Sequence, residues 1–337
     1  MWAIEPVLQV QGVSIEIPTR HGTVHAARDV DFALGRGERL GIVGESGSGK
    51  TITALGIMRL LLPPAHVTSG RILFEGRDVL TMRAKDVNRW RGNEAGMIFQ
   101  DPLTSLNPFL RIGIQVAEVL EIHRGLSRAE AMAEAEQLLR RVQISDARRR
   151  LSEYPHQLSG GMRQRVVIAI AMATRPKMII ADEPTTALDV TAQANVLDLL
   201  RDLTEAEGTS VVLITHDLSV IADFCERVLV MYAGRIVEEG SVDEVISEPR
   251  HPYTQALLNS IPKLQGEAGR LPSIPGAPPD LTRELQGCPF APRCPLVHDR
   301  CRTEVPDLLE IAPGRRAACH LAQPIPSDIT LEGDLAE

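Results

Sequence analysis

Eight consecutive residues, Gly44-Glu45-Ser46-Gly47-Ser48-Gly49-Lys50-Thr51, have the composition of a phosphate cradle. Glycines let successive backbone N–H groups turn inward as an anion nest, and a helix starting at the end of the loop adds its positive end. In that arrangement Lys50 reaches the β- and γ-phosphates of a nucleotide, the Thr51 hydroxyl ligates Mg²⁺, and Ile52 completes the cradle. A second segment, Met178-Ile179-Ile180-Ala181-Asp182-Glu183-Pro184, carries an apolar run of buried-strand type into two carboxylates. Asp182 is placed to hold Mg²⁺ directly or through water, and Glu183 to polarise the attacking water as general base. The plainer reading, a carboxylate pair capping the next helix, leaves the distance from the phosphate loop unexplained.

A third segment, Leu158-Ser159-Gly160-Gly161-Met162, puts a serine and two bare glycines at the predicted start of a helix running from Met162 to Thr174. That is a second anion site. One domain has no use for two such sites on one γ-phosphate. Ser159, Gly160 and Gly161 are therefore expected to serve the nucleotide of a facing partner, with two domains about a two-fold or pseudo-two-fold axis sharing two ATP molecules.

The elements that must position these residues follow from pattern. Leu8 to Ile17 and Phe32 to Val43 read as β-rich, with Gly35-Arg36-Gly37-Glu38 as a turn before the apolar strand Arg39 to Val43. A helical pattern runs from Thr51 through Leu62 and stops at Pro63-Pro64. Between Ile112 and Val142 the texture is helical, with Ser127-Arg128-Ala129-Glu130 as a capping box. β-type runs at Met178 to Ala181, Val211 to Thr215 and Val228 to Tyr232 alternate with helices, as in a parallel sheet. The core is expected to end around Ile236 to Val245. Leu271 to Pro279 is too rich in proline for helix or central strand and reads as an extended linker.

The 337 residues suffice for a large α/β domain with an appendage. With 44% hydrophobic residues there is still no run near the roughly 18 apolar residues of a membrane span. A net charge of -8 argues against broad binding to nucleic acid, and Arg148-Arg149-Arg150 reads as solvated surface. Met1-Trp2-Ala3-Ile4-Glu5-Pro6 lacks the form of a secretory signal, which makes a cytoplasmic location the expectation. Cys225 stands alone and reads as a small buried apolar residue. Cys288, Cys294, Cys301 and Cys319 crowd the C-terminal tail, six, seven and eighteen residues apart. In a reducing compartment such clustering points to metal. The tight knuckles usual for structural zinc are missing, and four thiolates on proline-stiffened loops suit a [4Fe-4S] cluster at least as well, with zinc and free thiols as alternatives.

Taken together, the three segments resemble an ABC-type ATPase domain, and the resemblance covers residues 8 to 260 with every element in order. It implies an α/β fold with a parallel sheet core, an antiparallel β subdomain and an inserted helical subdomain. By resemblance Gln100, in Met97-Ile98-Phe99-Gln100-Asp101, is the Q-loop glutamine that senses the Mg²⁺ site and the transmembrane partner. Asp189, in Ala187-Leu188-Asp189, is the D-loop aspartate. His216, in Ile214-Thr215-His216-Asp217, is the switch histidine that contacts the γ-phosphate. The wording Gly44 to Lys50, Met162 in place of the commoner signature glutamine, and His251-Pro252-Tyr253-Thr254 ahead of a cysteine-bearing tail are similar to ATP-binding subunits of dipeptide and oligopeptide importers. That likeness implies ATP-driven import of peptides or related solutes, with nickel or another non-peptide solute, or a soluble ABC-type ATPase, as alternatives. It implies a second ATPase subunit in a heterodimer, two transmembrane permeases, an extracytoplasmic solute-binding protein, a peripheral place on the cytoplasmic face of the membrane, and a [4Fe-4S] cluster in the tail. The division expected is 1–250 for the ATPase domain, with its helical subdomain at about 101–175, and 251–337 for the extension. One departure stands out: the aromatic residue on which many ABC domains stack adenine has no counterpart in Ser14-Ile15-Glu16-Ile17, which leaves an aliphatic face, His21 or His25.

Overall fold

Met178, Ile179, Ile180 and Ala181 are each fully buried, as a strand covered on both faces must be. In the computed structural model, which describes residues 6–186, 188–260 and 274–321, this strand is Met178–Asp182. The chain falls into two compact units: Met1–Leu8, Leu34–Glu38 and Phe74–Leu213 form one, and Gln9–Ala33, Arg39–Leu73 and Ile214–Glu337 the other.

In the first unit the strand Ala95–Ile98 pairs parallel with Met178–Asp182, Ala95 opposite Met178 and Ile98 opposite Ala181. The start of the strand Ser210–Thr215 lies on the other side of Met178–Asp182. The helical texture resolves into Ile112–Arg124 and Arg128–Arg141, separated at Gly125, whose φ of 67° ends the first. The capping box forms: the Ser127 hydroxyl accepts from the Glu130 N–H, and the Glu130 carboxylate accepts from the Ser127 N–H at 2.9 Å. Helix Gly160–Met172 follows, starting two residues before the predicted point.

In the second unit Leu8–Thr19 and Gly22–Leu34 form a hairpin, with His66–Phe74 beside Leu8–Thr19. Arg39–Val43 pairs parallel with Arg227–Tyr232, which pairs antiparallel with Arg235–Ser241. Two expectations are corrected here. The helix after the phosphate loop is Lys50–Ile57 and stops short of Leu62. Arg59 takes a left-handed φ of 51°, Leu60 N–H bonds back to the Leu55 carbonyl, and Arg59 N–H to that of Gly56. This is a helix stop that usually announces itself by glycine, and here it does not. Nor does the sheet end at Ile236 to Val245: Arg315–Ala317 pairs with Arg235–Ser241, with Glu238 opposite Ala317, and Leu309–Ala312 pairs with Arg315–Ala317. The cysteine-bearing tail thus extends the sheet. Of the proposed linker, Leu271 to Ser273 lie outside the described residues, as do Met1 to Glu5; Ile274 to Pro279 form neither helix nor strand.

Candidate functional site

The strand Arg39–Val43 delivers the chain into the loop Gly44 to Gly49 and then into helix Lys50–Ile57. Gly44 is pressed against its neighbours: a Cβ there would sit 2.2 Å from the Met231 carbonyl oxygen and 2.7 Å from Ser48 Oγ. Gly49 is the helix N-cap, at φ 105°, with the Ala26 carbonyl oxygen 2.5 Å from where a Cβ would be. Only glycine fits either position, and glycine at the cap brings no oxygen of its own to compete with an anion. Lys50 is buried and lies along the loop, its Nζ donating to the carbonyls of Gly44 at 2.7 Å and Glu45 at 2.9 Å. Ser48 is buried; Ser46, Gly47 and Thr51 are exposed, and Ile52 is half-buried. His216 is exposed just beyond Ser210–Thr215, in a turn fixed by Asp217, whose N–H donates to Thr215 Oγ1 and whose carboxylate caps helix Leu218–Phe224.

In the first unit Asp182 ends the buried strand and is itself 4% exposed. Glu183 follows with a φ of 46°, a conformation uncommon for a residue with a side chain and one that concentrates at functional sites. Its Oε2 accepts from Gln100 Nε2 at 2.8 Å and from Thr186 Oγ1 at 2.9 Å. Ser159 caps helix Gly160–Met172 by accepting from the Met162 N–H. At Gly161 an added Cβ would meet nothing within 4 Å, and at Gly160 only Leu188 at 3.8 Å. Among the described residues, no side-chain or backbone contact requires glycine at either position. Asp189, exposed, caps helix Val190–Glu207 through the Ala192 N–H at 2.9 Å; Ala187 lies outside the described residues.

Residues 27–186 match the family described as ABC transporter, and residues 237–301 the family described as the C-terminal region of the oligopeptide/dipeptide transporter. The probable peptide ABC transporter ATP-binding protein y4tR of Sinorhizobium fredii is 50% identical over 93% of this chain and 94% of its own. The oligopeptide transport ATP-binding protein OppD of Salmonella typhimurium is 48% identical over 93% of each. The chain is an ABC transporter ATP-binding protein.

Its fold is likewise that of solved ABC cassettes. The dimeric cassette MJ0796, in a post-hydrolysis state bound to ADP and Pi, matches at a TM-score of 0.63 and 30% identity, covering 70% of this chain and 98% of that one. The cbiO1 protein of Clostridium perfringens, part of a cbiONQ transporter complex, matches at 0.61 and 27%, covering 72% and 91%. The α/β class read from the sequence and the reading of an ATP-hydrolysing enzyme both hold for this ABC ATPase, whose expected substrate is Mg–ATP. No helix among the described residues is long and apolar enough to cross a membrane.

Three features of the ABC chain differ from the sequence reading or were absent from it. The adenine-facing candidates separate by burial: Ile15 belongs to the core, Ile17 is half-buried, His25 pairs with Glu16 at 3.1 Å, and His21 is exposed. The cysteines are all free thiols, and among the described residues no group of three His, Cys, Asp or Glu side chains is arranged to hold a metal ion, so the metal site expected in the tail is not formed as a ligand set. Cys288, Cys294, Cys301 and Cys319 nevertheless line one pocket with His251 and Phe290. Burial raises the Cys288 thiol to about 11 and the Cys294 thiol to about 12, so both are protonated at neutral pH. The third feature is contact between tail and phosphate loop. The Glu45 N–H donates to Tyr253 Oη at 2.7 Å, its carboxylate pairs with Arg293, and Pro278, Pro279 and Leu281 wall a cleft against residues 45–48. The His-Pro-Tyr-Thr wording and the Pro-Arg-Cys run at 292–294 were the available signals, and nothing in their spacing pointed at the loop.

Proposed function

We propose that this chain is the energy-coupling subunit for import of dipeptides, oligopeptides or related small solutes across the cytoplasmic membrane. The match of residues 237–301 to the oligopeptide/dipeptide transporter C-terminal region carries this reading, and the names of the relatives support it. In it the domain division is 1–250, with a helical subdomain at 101–175, and 251–337. Lys50 and the loop N–H groups hold the phosphates, Thr51, Asp182 and Gln100 serve Mg²⁺, Glu183 takes the proton of the attacking water, and His216 contacts the γ-phosphate. Ser159, Gly160 and Gly161 act on the ATP of a partner ATPase subunit of related sequence, in a heterodimer, and Asp189 is the D-loop aspartate. The open space beside Gly160 and Gly161 among the described residues supports this, since it leaves room for a partner's nucleotide to approach the backbone. Two permeases dock on the segment that carries Gln100, in which Phe99, Leu103 and Phe109 are exposed at 39%, 57% and 86%. A solute-binding protein delivers the cargo outside, the subunit sits peripherally on the cytoplasmic face, and no nucleic acid takes part.

For the tail cysteines the [4Fe-4S] cluster is the reading kept, with zinc as the alternative. Its support is that all four line one small pocket. Cys288, Cys294, Cys301 and Cys319 would hold it, and bound there it would supply a structural cross-link between loops.

Transport decides the reading. The chain, assembled with its partner ATPase, permeases and binding protein in vesicles, should drive ATP-dependent uptake of labelled di- or oligopeptides. Uptake of nickel and not peptide would move the assignment to the alternative solute, and ATP hydrolysis without stimulation by any permease would favour a soluble ATPase.

A further inference from the structure

Arg293 ends the turn Ala291–Arg293, between Cys288 and Cys294, and reaches the phosphate loop directly. Its Nη1 donates to Glu45 Oε2 at 2.7 Å and its Nη2 to Glu45 Oε1 at 3.0 Å, a two-point fork. The other donor directions are also filled: Nε to the Pro275 carbonyl at 2.8 Å, Nη2 to that of Ile274 at 3.0 Å, and Nη1 to Tyr232 Oη at 3.2 Å. The guanidinium carbon lies 5.9 Å and 6.0 Å from the ring centres of Tyr232 and Phe290, and the side chain is 3% exposed. Five hydrogen bonds and burial leave this group one orientation.

Glu45 is the residue through which that orientation matters. Its carboxylate is on Arg293, its N–H on Tyr253, and its carbonyl accepts from Lys50 Nζ at 2.9 Å. A carboxylate inside a loop that cradles a polyanion is otherwise a liability, since like charges repel most where water is thin. The turn carrying Arg293 is in turn closed by backbone bonds among the cysteine residues: Ala291 N–H to the Cys288 carbonyl, Cys294 N–H to that of Ala291, and Cys288 N–H to that of Cys301.

We propose that Arg293 is a positioning residue for ATP: it neutralises and pins Glu45, holding the carbonyls on which Lys50 rests, so that the cysteine-bearing extension is a working part of the nucleotide site. The proposal rests on the reading of the loop as an ATP site.

The test is equilibrium binding of a fluorescent ATP analogue with Mg²⁺ to the full chain, alongside thermal unfolding. R293Q is expected to weaken binding roughly tenfold, within the usual range of coupling between sites. R293K, which keeps the charge and loses the fork, should recover part of it. In E45Q the charge to be neutralised is gone, so E45Q/R293Q should bind as E45Q does. R315Q serves as a control: Arg315 anchors the terminal strand of the extension on the carbonyls of Glu244 and Glu248, away from the loop, and its loss should lower Tm without weakening nucleotide binding. The proposal is overturned if R293Q binds as the wild type does, if the effects of E45Q and R293Q simply add, or if R315Q and R293Q lose affinity in proportion to their losses of Tm. Failure of the wild-type chain itself to bind Mg–ATP would remove the underlying reading instead, and that outcome is visible before any variant is made.

Discussion

Gln100 and Glu183, 83 residues apart, are joined by a hydrogen bond of 2.8 Å from the glutamine amide to the carboxylate. The bond uses the amide nitrogen of Gln100, so in the proposed roles a change at the glutamine would be felt at the carboxylate. Phe99, next to Gln100 in the chain, is 39% exposed, so the same short segment also presents apolar surface to solvent.

Glu183→Gln should leave Mg–ATP binding intact and lower turnover by roughly 10²- to 10⁴-fold, the usual contribution of a positioned general base. The closed dimer should then accumulate with ATP, which size-exclusion chromatography with and without nucleotide would reveal. Gln100→Ala removes a donor to that carboxylate and not the carboxylate, so its loss should be smaller. Near-normal hydrolysis by the Glu183→Gln variant would exclude the residue as base.

Gly160→Ala and Gly161→Ala separate folding from assembly. Among the described residues, a methyl group at either site meets nothing closer than Leu188 at 3.8 Å, and alanine is favoured over glycine in a helix by up to about 1 kcal/mol. The variants should melt at or slightly above the wild-type temperature and bind ATP as isolated chains, yet lose ATP-driven pairing and steady-state hydrolysis. A fall in melting temperature would mean that the glycines serve the chain's own packing.

Much of this was legible in the sequence because the motifs are contiguous and their chemistry is local. Gly44 to Thr51 needs only a strand before it and a helix after it, and Asp182-Glu183 needs only the apolar run that precedes it. What stayed hidden depended on contacts far apart in the chain or on unmarked backbone. Arg59 stops a helix in a conformation that glycine normally signals. Arg315–Ala317 adds to the sheet through register with Glu238 and Glu239, which a short, charged run does not advertise. Arg293 and Tyr253 reach Glu45 across 248 and 208 residues, distances over which no spacing rule operates.

His251 makes the extension sensitive to acid. It is the N-cap of helix Pro252–Asn259: its Nδ1 accepts from the Tyr253 N–H at 3.0 Å, which requires a neutral ring. Complete burial lowers its pKa from 6.5 to about 3. Below pH 6.5 the unfolded chain takes up a proton that the folded chain refuses, so stability falls with falling pH through the window down to about 3. Between pH 6.5 and 5.5 this amounts to roughly 1 kcal/mol. Melting curves across that range should show the slope, and His251→Asn, which keeps a capping oxygen without a titrating ring, should flatten it. An unchanged slope in that variant would assign the acid sensitivity elsewhere.

Chain purified without oxygen should carry about four irons and matching sulfide, with a broad visible charge-transfer band, if the tail holds the proposed cluster. Cys294→Ser should then lose the band, and the extension should melt earlier than the ATPase core, because thiols raised to about 11 and 12 by burial gain little from each other once the metal is gone. Hydrolysis should fall less than tail stability does, since Lys50, Asp182 and Glu183 are untouched. It should not be wholly spared: Arg293 is the neighbour of Cys294, and loosening the turn frees Glu45 inside the loop. One zinc per chain would replace the cluster by a single ion and require the four thiols to close in. Iron-free, zinc-free chain that melts as Cys294→Ser does would leave the pocket as packing alone, with Arg293 as the remaining link between tail and nucleotide.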